Sequence, residues 1–188
     1  GGAGVVVEAC TPPEGYADNI DDCDDDDPHQ NPGAPEICGN GVDENCTGTA
    51  DSGCVVDHCA GSPFINVDTT WSASQVHVVT CDIFVEGPAN PVLTIEPGAQ
   101  VRFQDDSIHV SFNGTGGALD AQGVLFTSDS GTPAPDDWKG LLFHTGADAS
   151  LTRLDGSTIE YAGRSNARLR HAGITVWKEA MAFDGVTI

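Results

Sequence analysis

The sequence predicts a mainly β chain in two parts: a small disulfide-stapled loop module over residues 1–56, then a short parallel β-helix over residues 57–188. Three observations predict it. Six of the seven cysteines lie from Cys10 to Cys59, among few large apolar residues. From Asp57 onward, charge thins and short β-branched runs appear, bounded by Gly, Pro, Asn or Asp. One phrase then recurs down the second part, as a stacked coil requires.

Charge separates the two parts. The chain has 188 residues and a formal charge of -22. No Lys or Arg precedes Arg102, and all seven basic residues follow, so most of the negative charge sits in the first half. Such a surface repels phosphate, which excludes nucleic acid as a partner and makes a cation the natural one. The sequence holds no apolar run of about 18 residues, so no membrane-spanning helix is expected.

The first part cannot bury a core, and regions of that kind are held by covalent staples instead. Cys10, Cys23, Cys38, Cys46, Cys54, Cys59 and Cys81 therefore point to an oxidising, extracellular or cell-surface setting. Each bridge contributes about 2–4 kcal/mol. Zinc is the alternative, but no CxxC pair occurs and the neighbouring ligands are hard carboxylates. Seven is odd, so one cysteine is left over.

Between these cysteines runs "DDCDDDDPHQNPGAPEICGNGVDENC", from Asp21 to Cys46. Adjacent carboxylates about 4 Å apart repel by about 4 kcal/mol at an effective dielectric near 20, so the block needs solvation or a counter-ion. Its spacing favours an ion. Asp25, Asp27, His29, Asn31, Gly33 and Glu36 occupy the ligand positions of a calcium loop, with a glutamate at the bidentate last position. Gln30 stands where such a loop carries Gly, and the prolines forbid flanking helices, so this is not an EF-hand. Asp22 and Asp24 are further candidate ligands. A second loop, "DENCTGTAD", offers Asp43, Asn45, Thr47 and Asp51, with Thr47 in place of an acidic ligand. The bland alternative for both is an ion-free turn capped by Asp and Asn side chains.

In the second part, "QVHVVTCDIFVEG", "PVLTIEPGAQVRFQ", "SIHVSFNG", "WKGLLFHTG" and "GITVWK" read as short strands without helical periodicity. "LDAQGVLFTS", "LDGSTIEYA" and "FDGVTI" repeat one phrase, starting at Leu119, Leu154 and Phe183. A parallel β-helix needs such repetition and a Greek-key sandwich does not.

Two resemblances follow. "ACTPPEGYADNIDDCDDDDPHQNPGAPEICGNGVDENCTG" resembles the MopE-type metal-binding motif of secreted bacterial proteins, from Ala9 to about Asp51. It implies a cell-surface or secreted setting and divalent-cation binding. The copper chemistry of the protein that names the motif depends on a modified Trp and on histidines, and no residue of the motif maps onto such a site. "TTWSASQVHVVTCDIFVEG", "LTIEPGAQVRF" and "DDWKGLLFHTGADASLTRLDGSTIEYAG" resemble the opening coils of secreted right-handed, pectate-lyase-like β-helix domains, over about Cys59 to Ile188. That resemblance implies about four to five coils, with Val92, Leu93, Ile95, Val101, Phe103, Leu125, Phe126, Leu141, Phe143, Ile159 and Ile174 filling the core. Trp71, Trp138 and Trp177 are expected as packing or turn anchors. With the chain so divided, Cys10–Cys23 and Cys38–Cys46 would staple the module and Cys59–Cys81 the first coil, with Cys54 unpaired, although spacing alone does not fix connectivity.

Enzymes of the pectate-lyase-like fold use acidic clusters in a long groove. Here Asp105, Asp106, Asp136 and Asp137 fall where turns are expected, and fold alone does not confer function. The expectation is therefore no catalysis. It is instead a Ca²⁺-binding structural or adhesive protein, self-associating head to tail because the sequence stops on a strand phrase without a polar cap. The alternatives are a fragment of a longer β-helix protein that acts on or binds extracellular polysaccharide, and a copper-binding surface protein.

Overall fold

The computed structural model describes residues 22–24, 26–37, 40–51, 53–164, 172–177, 181 and 183–188. The chain divides into two units, Gly1–Cys54 and Val55–Ile188. The described part of the first unit is built of turns and bends, as its prolines and Asx residues dictate. The second is a stack of parallel strands, and no helix occurs among the described residues.

The strands follow one another around the stack in sets of three. β1 (Cys54–Asp57), β2 (Phe64–Ile65) and β3 (Thr69–Trp71) make the first turn. β4 (Gln75–Val79), β5 (Ile83–Val85) and β6 (Val92–Ile95) make the second, and β7 (Gln100–Phe103), β8 (Ser107–Val110) and β9 (Ala118–Ala121) the third. The fourth has β10 (Leu125–Ser128), β11 (Gly140–Phe143) and a bridge at Arg153, and the fifth has β12 (Thr158–Ile159) and β13 (Ile174–Val176). Every third strand joins the same sheet as far as β11, and the bridge at Arg153 takes the third place before β12 and β13. Sheet A is β1-β4-β7-β10-β12, sheet B is β13-β11-β8-β5-β2, and sheet C is β3-β6-β9. The registered pairs are all parallel. This is the β-helix-like, mainly β fold that the repeated phrase predicts.

The phrase is the corner between sheets C and A. There Gly98 N–H donates to Gly123 O, Gly123 N–H to Asp155 O, and Gly156 N–H to Asp184 O, one turn stacked on the next. Gly98, Gly123, Gly156 and Gly185 all have φ between 64° and 92°, where a Cβ is strained. Ser157 locks the same corner from inside. Its buried Oγ accepts the Val124 N–H at 3.0 Å and donates to Ala121 O.

Coil length is not constant. Gln100 pairs with Leu125, but Leu125 pairs with Thr158, so the spacing grows from 25 to 33 residues. The added length falls between sheets A and B. Residues 104–106 connect β7 to β8, whereas residues 129–139 connect β10 to β11. The corner between C and A changes by one residue only, with residues 96–99 between β6 and β7 and residues 122–124 between β9 and β10.

Alternation along each strand fills the interior. Leu93, Ile95, Val101, Phe103, Phe126, Leu141, Phe143 and Ile159 are buried in one core, with Ile174 packed against it. Val92 and Leu125, expected there, are one residue out of phase. They point outward and are partly exposed, because Leu93 and Phe126 hold the inward positions. Trp138 is fully buried, stacks on Phe103 at 4.0 Å and donates its Nε1–H to Glu160 O. Trp71 is buried beneath His58 at 3.6 Å. Trp177 is 42 % exposed and is not a core anchor.

Candidate metal centre

The first unit is pinned by a bridge that the sequence reading did not assign. Cys23 is bonded to Cys46, which rules out both Cys10–Cys23 and Cys38–Cys46. Cys54 is also disulfide-bonded and is not the odd cysteine. Cys10 and Cys38 lie outside the described residues. In the second unit Cys59 is bonded to Cys81. The Cys23–Cys46 bridge ties the acidic block directly to the second loop, and Cys23 N–H also points at Cys46 Sγ.

Asp22, Asp24 and Asp27 each first serve their own turn. Asp22 Oδ1 accepts Asp24 N–H, and Asp24 Oδ1 accepts Asp26 N–H. Asp27 Oδ1 accepts His29 N–H at 2.9 Å, and the Gln30 amide reaches Oδ2. The His29 N–H, then Gln30 and the His29 ring, hold the Asp27 carboxyl below its ordinary range. His29 is exposed, with Nδ1 at 3.1 Å from Asp27. Asn31 donates its amide to Pro28 O. In the second loop, Asp43 accepts Thr47 N–H at 3.0 Å and Gly48 N–H at 2.7 Å, while Asn45 Oδ1 also accepts Thr47 N–H. Asp51 N–H closes back onto Val42 O. Asp25 lies outside the described residues.

Two glutamates join the loops. Glu36 Oε1 accepts Asn45 N–H at 2.9 Å. Its other oxygen, Oε2, is buried and has no hydrogen-bond partner among the described residues. Glu44, which the spacing argument did not select, is 4 % exposed. It accepts from the Asn40 amide and Ile37 N–H, and its carbonyl accepts Asn31 N–H at 2.8 Å. The Asn40 amide, then Ile37 N–H, hold its carboxyl low. Nothing in the sequence separates Glu44 from its acidic neighbours, because its role depends on loop closure.

Among the described residues, no three His, Cys, Asp or Glu side chains converge as a metal cluster. What they offer is hard oxygen donors in two adjoining loops and one buried carboxylate oxygen with no hydrogen-bond partner among the described residues. A buried anionic oxygen without a donor is costly, and a cation removes that cost. Among the described residues of this segment the soft ligands are committed or turned away: Cys23 and Cys46 are spent in a disulfide and His29 points to solvent. That donor set fits a hard cation better than copper.

In the coil, the acidic residues weighed as catalytic have local partners. Asp105 pairs with Arg164, although Asp105 Oδ1 is buried with no hydrogen-bond partner among the described residues. Asp106 pairs with Lys139 at 3.3 Å. Asp137 accepts Ser128 Oγ–H at 2.7 Å and Ala134 N–H at 2.9 Å. Gln104, Ser128, Asp129, Ser130, Asp137 and Arg164 line an open polar cleft at the corner between sheets A and B. Four of the six histidines, scattered in sequence, meet in two pairs: His58 with His77 at 2.8 Å, and His109 with His144 at 3.0 Å.

No curated protein and no solved structure matches the chain. Among the described residues no helix is long and apolar enough to cross a membrane, and the disulfides are compatible with an extracellular location. Residues 22–52 match a family model of the MopE type, named for copper and described as "Putative metal-binding motif", so the segment that holds Glu36, Asp43 and Glu44 carries a metal-binding motif.

Proposed function

We propose that residues 22–51 bind Ca²⁺, and that the coil is a secreted or cell-surface scaffold of structural or adhesive type, without catalytic activity. The buried, unpartnered Glu36 Oε2 carries this reading. Glu36 would hold the ion together with Asp22, Asp24 or Asp27, and the ion would supply the positive charge that these carboxylates lack. Calcium is preferred to copper because the donors are oxygens. The absence of a catalytic role is supported by the pairing of Asp106 and Asp137 with fixed local donors. Head-to-tail self-association belongs to the same proposal, because parallel coils extend by strand pairing.

Calorimetry on chelator-washed full chain tests the site. Calcium should bind with a dissociation constant on the order of 10⁻⁴–10⁻³ M, as in extracellular modules. Glu36→Gln should weaken it, and copper should give no comparable heat. No calcium heat together with no calcium-dependent rise in Tm would overturn the reading. Light scattering in calcium buffer tests assembly, and a strictly monomeric chain at high concentration would remove it.

A further inference from the structure

The outer face of sheet B carries a row of rings that the core does not use. Phe64 and Phe84 stack at 5.2 Å, Phe84 and His109 at 5.0 Å, His109 and His144 at 5.3 Å, and His144 and Trp177 at 4.5 Å. Phe112 lies edge-on to Phe84, His109 and His144. Phe64, Phe112 and Trp177 are 52 %, 50 % and 42 % exposed. Leaving a Phe exposed forfeits about 1.5–3 kcal/mol of burial, so three such rings on one face mark a contact surface. The outward positions of the other sheets carry residues such as Gln100, Arg102, Thr94 and Asp120.

The charges on this face are satisfied. Lys139 sits 3.0 Å from Asp82 and 3.3 Å from Asp106. Glu86 accepts both Asn113 N–H and the Asn113 amide at 2.7 Å. Burial pushes His109 down to about 4 and lowers His144, so both rings are neutral near pH 7. Their tautomers follow from the network. Ser107 Oγ–H donates to the Asp82 carboxylate, so Ser107 accepts His109 Nε2–H. His109 Nδ1 then accepts His144 Nε2–H, which leaves His144 Nδ1 as an acceptor.

We propose that this face binds a neutral polysaccharide lying along the coil axis. Charge selects the occupant. A chain of net charge -22 repels polyanions and anionic membranes. A cationic partner would be drawn to the carboxylates of residues 22–51 rather than to a face whose charges are paired. An uncharged polymer of rings meets no such barrier. The ladder repeats at the strand spacing of about 4.8 Å, so it presents a periodic ligand with one ring or ring edge per coil. Apolar sugar faces would lie on Phe64, Phe112 and Trp177, with hydroxyls directed to His144 Nδ1.

Depletion of the full chain by insoluble cellulose or chitin, at about 0.15 M salt, tests this. At least one polymer should remove the protein from solution, with or without calcium, and soluble polygalacturonate should not compete. Phe112→Ala and Trp177→Ala should each weaken retention about fivefold with unchanged Tm. Phe64→Ser is the further variant should either change lower Tm. No depletion by either polymer, equal depletion of the variants, or competition by polygalacturonate would overturn the proposal. So would self-association by sedimentation that Phe112→Ala abolishes, which would assign the face to a second copy.

Discussion

Acid should loosen the first coil through one histidine pair. His77 is 1 % exposed and points into the coil, where Nε2–H donates to Ser72 O at 2.8 Å. Its Nδ1 must therefore accept from His58 Nε2–H, whose ring stacks on Trp71. Protonating His77 sets its Nδ1–H against the His58 Nε2–H, and protonating His58 keeps that bond but places charge beside the core. Burial first, then His77, pushes His58 from an ordinary value of 6.5 to about 4, with Asp57 opposing. Burial lowers His77 as well, with the Ser72 carbonyl opposing. Between about pH 6.5 and 4 the unfolded chain then binds more protons than the folded one. Stability is complete above 6.5 and is lost as pH falls toward 4. For His58 alone the loss amounts to about 3 kcal/mol, or roughly 10 °C in Tm at about 2–4 °C per kcal/mol for a chain of this size. Losing negative charge acts in the opposite sense at low pH, so the measurement is a difference. Thermal melts of wild type and His58→Phe across pH 7 to 4 should show a shallower slope for the variant, which keeps the ring on Trp71. Parallel slopes would refute the reasoning.

Other outcomes follow from single contacts. Calcium at about ten times its dissociation constant should stabilise the first unit by about 1.4 kcal/mol, measured by protection from proteolysis between residues 22 and 51, and Glu36→Gln should remove that protection. Replacing Cys23 and Cys46 together by Ser should cost about 3 kcal/mol in the first unit, read as faster cleavage there with the Tm of the coil unchanged. Ser157→Ala should lower stability by about 1–3 kcal/mol, since Val124 N–H loses its acceptor inside the stack, and denaturant melts would report it. Gly117→Ala should prevent normal folding, because its Cβ would lie 2.2 Å from Val85 O at φ +145°. Gly98→Ala, with open space around it, should cost only backbone strain of about 1 kcal/mol. Soluble yield and circular dichroism would separate the two.

The parallel stack was legible because its most constant corner is written as a phrase. An apolar residue, an Asp and a glycine turn precede the strand at Leu154 and again at Phe183, and those turns lie one above the other. Phase within a strand was less legible. Val92 and Leu125 look like Leu93 and Phe126 in an apolar run, and only the direction of the neighbouring coil decides which faces inward. Disulfide pairing was not legible for the same reason: Cys23 and Cys46 are brought together by two turns whose closure depends on Glu44. The histidine pairs are separated by 19 and 35 residues, and only coil register brings such distances into contact. The acidic block could be read as a cation site, but its orphaned oxygen is a property of packing.

The unequal corners have a consequence for engineering. Residues 104–106 and residues 129–139 make the same passage between sheets A and B, yet β8 and β11 still pair in register, Ile108 opposite Leu141 and Val110 opposite Phe143. This corner therefore takes eleven residues in place of three while β11 keeps its register on β8. The corner between C and A has no such slack, because each of its glycine turns is bonded to the next. A peptide epitope or affinity tag grafted between Asp129 and Asp136 should be displayed without loss of fold, while the same graft at Gly123 should halt the stack.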